Sequence, residues 1–342
     1  MGRTEARMPE RSAIDAEDLV KVYPGEVTAI SGVSLSAAEG EVVGVLGPNG
    51  AGKSTTLKIL TTLLRPTSGR ATVFGFDVRD TEKVKPLLGV ALQDVGLDPL
   101  MSGNAHFEVQ AALYGIKPDA LRKVSDPLIE RFMLNSYLDR AVGAYSGGTQ
   151  RKMALALALC TSPPVTIFDE PTAGLDPHGR RQVWELIGEM RLQGKVVLFS
   201  TQYMDEAERL CDHIYVVDKG RIVAEGSPEE LKALVGEGTL RIVVDAPAKL
   251  RAMVDGLLPG LAIKEDGEAV VVKIPVDSKA PAAILEALQS DGLAVREFSL
   301  TPPTLEDTFL HLTGHSLRPE PLGRSTADMG LSMHRGGGSK WR

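Results

Sequence analysis

The chain has 342 residues, 43% hydrophobic and 24% charged, the balance of a globular protein long enough for two ordinary domains and a sizeable buried core. Its net charge of −7 offers no broad basic surface, so no nucleic-acid partner is expected. Its two cysteines, Cys160 and Cys211, lie far apart and outside any metal-ligand spacing, which suits the reducing cytoplasm, and its longest apolar stretch, 153–160, is far below the roughly 20 residues that span a bilayer.

Residues 1–13 are polar, without periodicity and without the apolar core of a secretory signal, and are expected to form a disordered leader. From Ile14 to about residue 236, β-branched runs alternate with amphipathic stretches. The pattern predicts strands over 41–46, 165–169, 195–200 and 213–218, with helices over 53–64, 180–193 and 204–211. Strands alternating with helices imply an α/β fold whose largely parallel sheet is covered on both faces. Between about 94 and 145 only helical patterns occur, as in NAHFEVQAALYGI and ALRKVSDPLIERFML, which reads as a helical insertion. Over 237–314 the alternation restarts with TLRIVVDA, AKLRAMVDGLL, EAVVVKIPV, PAAILEALQSDG and AVREFSL, a small α/β domain of a size suited to docking or regulation. Residues 315–342, rich in Gly, Pro, Ser and Arg, are expected to be a disordered tail.

Two motifs within this frame carry chemistry. GPNGAGKST, made of Gly47, Pro48, Asn49, Gly50, Ala51, Gly52, Lys53, Ser54 and Thr55, stands between an expected strand and an expected helix. Its glycines let backbone N–H groups converge on phosphates and the helix start adds its dipole, while Lys53 is placed for the β and γ oxygens and the Ser54 hydroxyl for Mg²⁺. VTIFDEPTAGLDP, over 165–177, delivers Asp169 and Glu170 at the C-terminal end of a strand, the ligand edge of a parallel sheet. Asp169 suits the Mg²⁺ shell, and Glu170 suits a base that polarises the attacking water. Together they specify only a phosphate-binding-loop NTPase core, with a nucleoside triphosphate and Mg²⁺ as ligands, without choosing among the many families that share them.

YSGGTQRK, over 145–152, narrows the choice, because it lies about twenty residues before the DE pair, where the ATP-binding cassette (ABC) family carries its LSGGQ signature. The resemblance is carried by Ser146, Gly147 and Gly148, while Tyr145 and Thr149 depart from the family's Leu and Gln. Further elements follow over about 14–230. The resemblance implies that Tyr23 stacks on adenine, that Gln93 reaches Mg²⁺ and the attacking water, and that Asp176 in GLDP touches a partner subunit. Asp176 could equally be only a helix N-cap. The family pattern further implies that the signature of one subunit caps ATP held by the other, giving an ATP-sandwich homodimer at the cytoplasmic face of a separate transmembrane permease subunit.

A further departure bears on the chemistry. Where the family usually has His, this chain has Gln202, which can donate and accept hydrogen bonds but carries no proton. That places the burden of the base on Glu170 and leaves open a slow ATPase or a nucleotide-binding scaffold with little turnover. Gln202, GLDP and the ending TPPTLEDTFLHLTG over 301–314 together resemble the drug- and antibiotic-resistance exporter ATPases of the daunorubicin-resistance type, which implies export of a drug, antibiotic or lipid-like compound. A soluble ABC ATPase acting on ribosomes or DNA is the alternative. Such relatives usually carry two cassettes or a long coiled coil, and this chain has one cassette and no sustained heptads.

Overall fold

The computed structural model of the chain describes residues 12–261, 263–275 and 278–315. Two long strands come first, β1 (Ser12–Tyr23) and β2 (Val27–Ala38), followed by β3 (Val42–Leu46), α1 (Lys53–Leu60), β4 (Ser68–Val73), β5 (Phe76–Asp77), α2 (Thr81–Val84) and β6 (Leu88–Ala91). The expected leader therefore ends earlier than residue 13. Ser12 and Ala13 belong to β1, where Ala13 is fully buried and its carbonyl accepts from the Phe74 N–H. The rest of the leader lies outside the described residues.

β1, β2, β4 and β5 form an antiparallel sheet in the order β2-β1-β4-β5. Sequence reading missed it because repeated register shifts in the β1–β2 pairing break the period-2 alternation that marks a strand. α1 stops at Leu60, short of the expected residue 64. Thr61 turns its hydroxyl back onto the Leu57 carbonyl, and Thr62 takes a left-handed φ of 66° that ends the helix.

A helical stretch follows, with α3 (Gly103–Leu113), α4 (Pro118–Arg131) and α5 (Gly147–Leu159). Then come β7 (Val165–Asp169), α6 (Pro177–Leu192), β8 (Val196–Thr201), α7 (Met204–Leu210), β9 (His213–Asp218), β10 (Arg221–Gly226) and α8 (Pro228–Ala233). The central sheet runs β10-β9-β3-β8-β7-β6, parallel except for its edge strand β10. Apart from β10, its strands are largely buried on both faces. Val42 and Leu46 of β3, Phe168 of β7 and Val197 and Phe199 of β8 pack with α3, α4 and α5. Their neighbours Val43, Val45, Ile167, Val196 and Leu198 pack with α1 and the antiparallel sheet. A parallel sheet covered this way reads as continuous apolar runs, which is why its strands were legible.

The remaining residues form β11 (Glu237–Val244), α9 (Pro247–Leu257), β12 (Ile263–Asp266), β13 (Ala269–Pro275), α10 (Ala280–Ser290), β14 (Val295–Thr301) and α11 (Leu305–Thr313). Their sheet, ordered β12-β13-β11-β14, is antiparallel and has its own core with α9 and α10. α11 does not belong to that core. Leu305 and Phe309 are buried in the central core beside Leu231, and the Thr308 hydroxyl donates to the Leu231 carbonyl at 3.1 Å. The chain thus returns to the first domain at its end, a long-range contact that periodicity cannot reveal. His315, expected in the tail, lies edge-on to Phe309, with ring centroids 5.6 Å apart, and residues 316–342 are outside the described set. Among the described residues no helix is long and apolar enough to cross a membrane.

Candidate nucleotide site

Parallel strands end at the same edge of a sheet, and here β3, β7, β8 and β6 deliver their C-terminal residues together. Asp169 pairs with Ser200, Leu46 with Thr201, and Ala91 with Phe168. The loop over 47–52, Glu170, Gln202 and the Gln93 segment therefore leave the sheet side by side.

The phosphate-type loop is shaped by close backbone approach. A Cβ on Gly47 would stand 2.2 Å from the Val217 carbonyl of β9, and one on Gly52 2.8 Å from the Ala29 carbonyl of β2. Gly52 also has φ 106°, which L side chains rarely adopt. It starts α1, whose first-turn N–H groups have no partner within the helix and are free to meet an anion. Lys53 is buried, donates to the Gly47 and Pro48 carbonyls at 2.8 and 3.1 Å, and lies 3.6 Å from Glu170 Oε1. Burial lowers its ammonium pKa, while the facing charges of Glu170 and Asp169 push the other way. The result is a desolvated cation held between a loop and two carboxylates, available to polyphosphate.

Asp169 ends β7 fully buried, and Glu170 follows it with φ 51°, a left-handed backbone uncommon for any residue but glycine, Asn or Asp. Ser200 holds the pair. Its hydroxyl donates to Asp169 Oδ1 in a short hydrogen bond and accepts from the Glu170 N–H at 3.1 Å, and its carbonyl accepts from the same N–H at 3.2 Å. Asp169 Oδ2 is buried and has no hydrogen-bond partner among the described residues. A buried carboxylate oxygen left open in this way fits a divalent cation or its water, and the donor types of Asp169, Ser54 and Gln93, all oxygens, suit Mg²⁺.

Gln202 is half-buried just past β8, in a turn closed by the Tyr203 N–H donating to Thr201 Oγ1 at 2.9 Å. The Gln93 side chain is exposed. Its carbonyl and that of Leu92 accept from the buried Arg151 at 2.9 and 2.6 Å. Tyr23 closes β1 against Val27, two residues before Ala29, which borders Gly52.

Ser146 and Gly147 are exposed at the start of α5, where Ser146 caps its own helix by accepting from the Thr149 N–H at 3.2 Å. Gly148 lies against the loop of Gly174 and Leu175, so the signature and GLDP share one surface. Tyr145, in place of the family's Leu, is buried, and its hydroxyl donates to the Tyr137 carbonyl at 2.6 Å, so the departure is accommodated by packing. Asp176 does cap α6, Oδ1 accepting from the Gly179 N–H at 2.7 Å, and this cap starts the helix three residues before the expected residue 180.

Comparison with known proteins shows the family. The ABC transporter family model matches residues 22–173, and the model for the C-terminal domain of DrrA1-3-like ATP-binding proteins matches residues 226–313. The chain is 40% identical over 310 residues to the daunorubicin resistance ATP-binding protein DrrA3 of Streptomyces coeruleorubidus, covering 90% of this chain and 98% of the relative. The chain belongs to the ABC transporter ATP-binding proteins of the daunorubicin-resistance type.

This ABC subunit is also 33% identical over 317 residues to the Nod factor export ATP-binding protein I of Rhizobium etli, covering 92% of this chain and 97% of the relative. Among solved structures it is similar to a dimeric post-hydrolysis ATP-binding cassette, MJ0796, bound to ADP and Pi, with a TM-score of 0.59 and 26% identity over 63% of this chain and 98% of that one. It is an ATP-hydrolysing enzyme and the nucleotide-binding subunit of a transporter. Sequence reading of the subunit missed Ser200 and Arg151. Ser200 sits beside the DE strand only in the folded sheet, and Arg151, near the end of YSGGTQRK, passes for a solvated charge until it is seen bonded to the Gln93 loop.

Proposed function

We propose that this ATPase powers export of a drug, antibiotic or lipid-like compound through a separate transmembrane permease, working as one half of an ATP-sandwich homodimer at the cytoplasmic membrane face. The observation that carries the reading is the convergence of Lys53, Asp169, Glu170 and Gln202 at one sheet edge, while Ser146 and Gly147 stay exposed at a helix start, open to nucleotide held by a second copy. Asp169, Ser54 and Gln93 would hold Mg²⁺, which would supply charge neutralisation at the phosphates. Tyr23 would stack on adenine, the loop of Gly47 to Thr55 would cradle the phosphates, and Glu170 would orient and deprotonate the attacking water. Asp176 would meet the partner subunit.

Coupling to the permease is supported by a groove of about 330 Å³ between the 61–63 turn, β6 and α3, lined by Leu63, Leu97, Val109 and Tyr114. Leu63 and Val109 are exposed there, and the Gln93 loop borders the groove. A groove beside the nucleotide site that combines these apolar residues with Lys85, His106 and Gln110 is a suitable seat for an amphipathic helix of a membrane subunit. The test is purification from detergent-solubilised membranes together with an efflux assay. A multi-span subunit should accompany the chain, and Lys53→Ala should abolish both ATP binding and efflux while leaving that association intact. Recovery with ribosomes instead of a membrane subunit would overturn the transport reading, and near-normal turnover of Lys53→Ala would remove the phosphate-loop assignment.

A further inference from the structure

Glu206, in the first turn of α7, is 1% exposed and accepts hydrogen bonds from three elements. Oε1 accepts from Thr172 Oγ1 in a short hydrogen bond, from Arg180 Nη2 at 3.2 Å and from Trp184 Nε1 at 3.4 Å. Oε2 accepts from Thr201 Oγ1 at 2.9 Å. Thr172 lies two residues after Glu170, Arg180 and Trp184 sit on the helix that Asp176 caps, and Thr201 immediately precedes Gln202. Thr201 and Thr172 are themselves buried. The same threonine hydroxyl that donates to Glu206 accepts from the Tyr203 N–H, so the carboxylate fixes the turn that presents Gln202. Arg180 completes the arrangement by bridging to Asp205 at 3.2 Å and lying over the Tyr203 ring at 4.8 Å.

We propose that Glu206 is a positioning residue for ATP hydrolysis, tying the loop after Glu170, the helix led by Asp176 and the Gln202 turn into one unit that moves together. A buried carboxylate with a donor at each oxygen can join three chain segments where an apolar side chain could only fill space. The segments it joins are the loop after the proposed base, the helix behind the proposed partner-facing loop and the turn that presents Gln202. The proposal rests on the reading that places Gln202 at the γ-phosphate. It makes Glu206 the route by which contact with the partner at Asp176 reaches Gln202.

The amide in Glu206→Gln keeps the shape but brings a donor to face either the Thr201 hydroxyl or Arg180, so one contact is lost. Turnover should fall by about tenfold or more, the size of one mispaired buried hydrogen bond, with ATP affinity near the parent value because the phosphate loop is untouched. Thr201→Val should lose turnover similarly, and Thr201→Ser, which keeps the hydroxyl, should restore it. In the double variant Gln202→Ala/Glu206→Gln the rate should be no lower than in the slower single, since both changes remove one function.

A rate loss that multiplies in the double variant would make Glu206 a structural residue and overturn the proposal, as would parent-like turnover in Glu206→Gln and Thr201→Val. If Gln202→Ala alone hydrolyses ATP at the parent rate, the reading of Gln202 falls and the proposal falls with it. If Glu206→Gln does not fold, Thr201→Val and Thr201→Ser decide the matter alone.

Discussion

Glu170 and Gln202 leave neighbouring strands at the same sheet edge, and one carries a titratable group while the other does not. A positioned base contributes about 10²–10⁴-fold in rate, whereas one neutral hydrogen bond is worth about 0.5–1.5 kcal/mol, roughly tenfold. Glu170→Gln should therefore nearly stop hydrolysis with ATP binding retained, and Gln202→Ala should slow it less. Gln202→His should be tolerated and add a pH dependence near the unperturbed imidazole pKa of about 6.5. Steady-state rates of the three variants between about pH 6 and 8 check this. The base assignment is wrong if Glu170→Gln keeps most activity while Gln202→Ala loses nearly all of it. Glu170 stands out in the sequence because it follows Asp169 at the end of a strongly apolar strand, whereas Gln202 is singled out only by the family resemblance, as the residue in the place of the usual His. Ser200 does not stand out, because a serine inside VVLFST carries no signal until β8 lies beside β7.

α11 is the element whose place the sequence concealed. Its capping box and amphipathic pattern mark a helix in TLEDTFLHLT, but nothing local says that its apolar face leaves the preceding sheet for α7, α8 and β10. Phe309 is 1% exposed in that packing, so Phe309→Ala should cost about 3–5 kcal/mol of stability, read from the urea midpoint. The site itself should be spared, with ATP affinity unchanged in buffer. Asp307 adds a pH signature. Burial pushes its carboxyl up, but bonds from Lys273 and from the Thr304 N–H and hydroxyl outweigh that and hold it below the ordinary range. Its contribution is thus complete above the unfolded carboxylate pKa of about 3.9 and is lost as pH falls through the lower folded value. The stability gap between the parent and Asp307→Ala, about 1 kcal/mol for a lost capping interaction, should be full at pH 6 and close below about pH 4. Thermal melts across that range measure it, and a gap that is independent of pH would show that the carboxylate charge is irrelevant.

At the scale of the whole molecule, the fold class was legible because both faces of the parallel sheet are covered and its strands are continuous apolar runs. The covering antiparallel sheet was not, because its bulges scramble the alternation. The assembly follows from a different kind of argument. A helix start at Ser146 and Gly147 is exposed, with Gly148 against Gly174 and Leu175, while the chain's own glycine-rich loop surrounds the buried Lys53. In the proposed sandwich, nucleotide held by that loop would turn its γ-phosphate toward the Ser146 surface of a second copy, and two ATP molecules would then cement two subunits. Trapping ATP with Glu170→Gln should convert monomer to dimer in light scattering at micromolar protein, and ADP should not. Ser146→Arg, added to that background, should keep the chain monomeric while nucleotide binding to each monomer stays intact, because the bulky side chain fills the place where the partner's phosphate would dock and lies away from Lys53. A Ser146→Ala control should weaken the dimer less, since the backbone N–H groups of Gly147 and Gly148 remain as donors. A chain that stays monomeric with ATP trapped, even alongside its membrane subunit, would rule out the sandwich, whereas a dimer indifferent to Ser146→Arg would place the contact somewhere other than the signature.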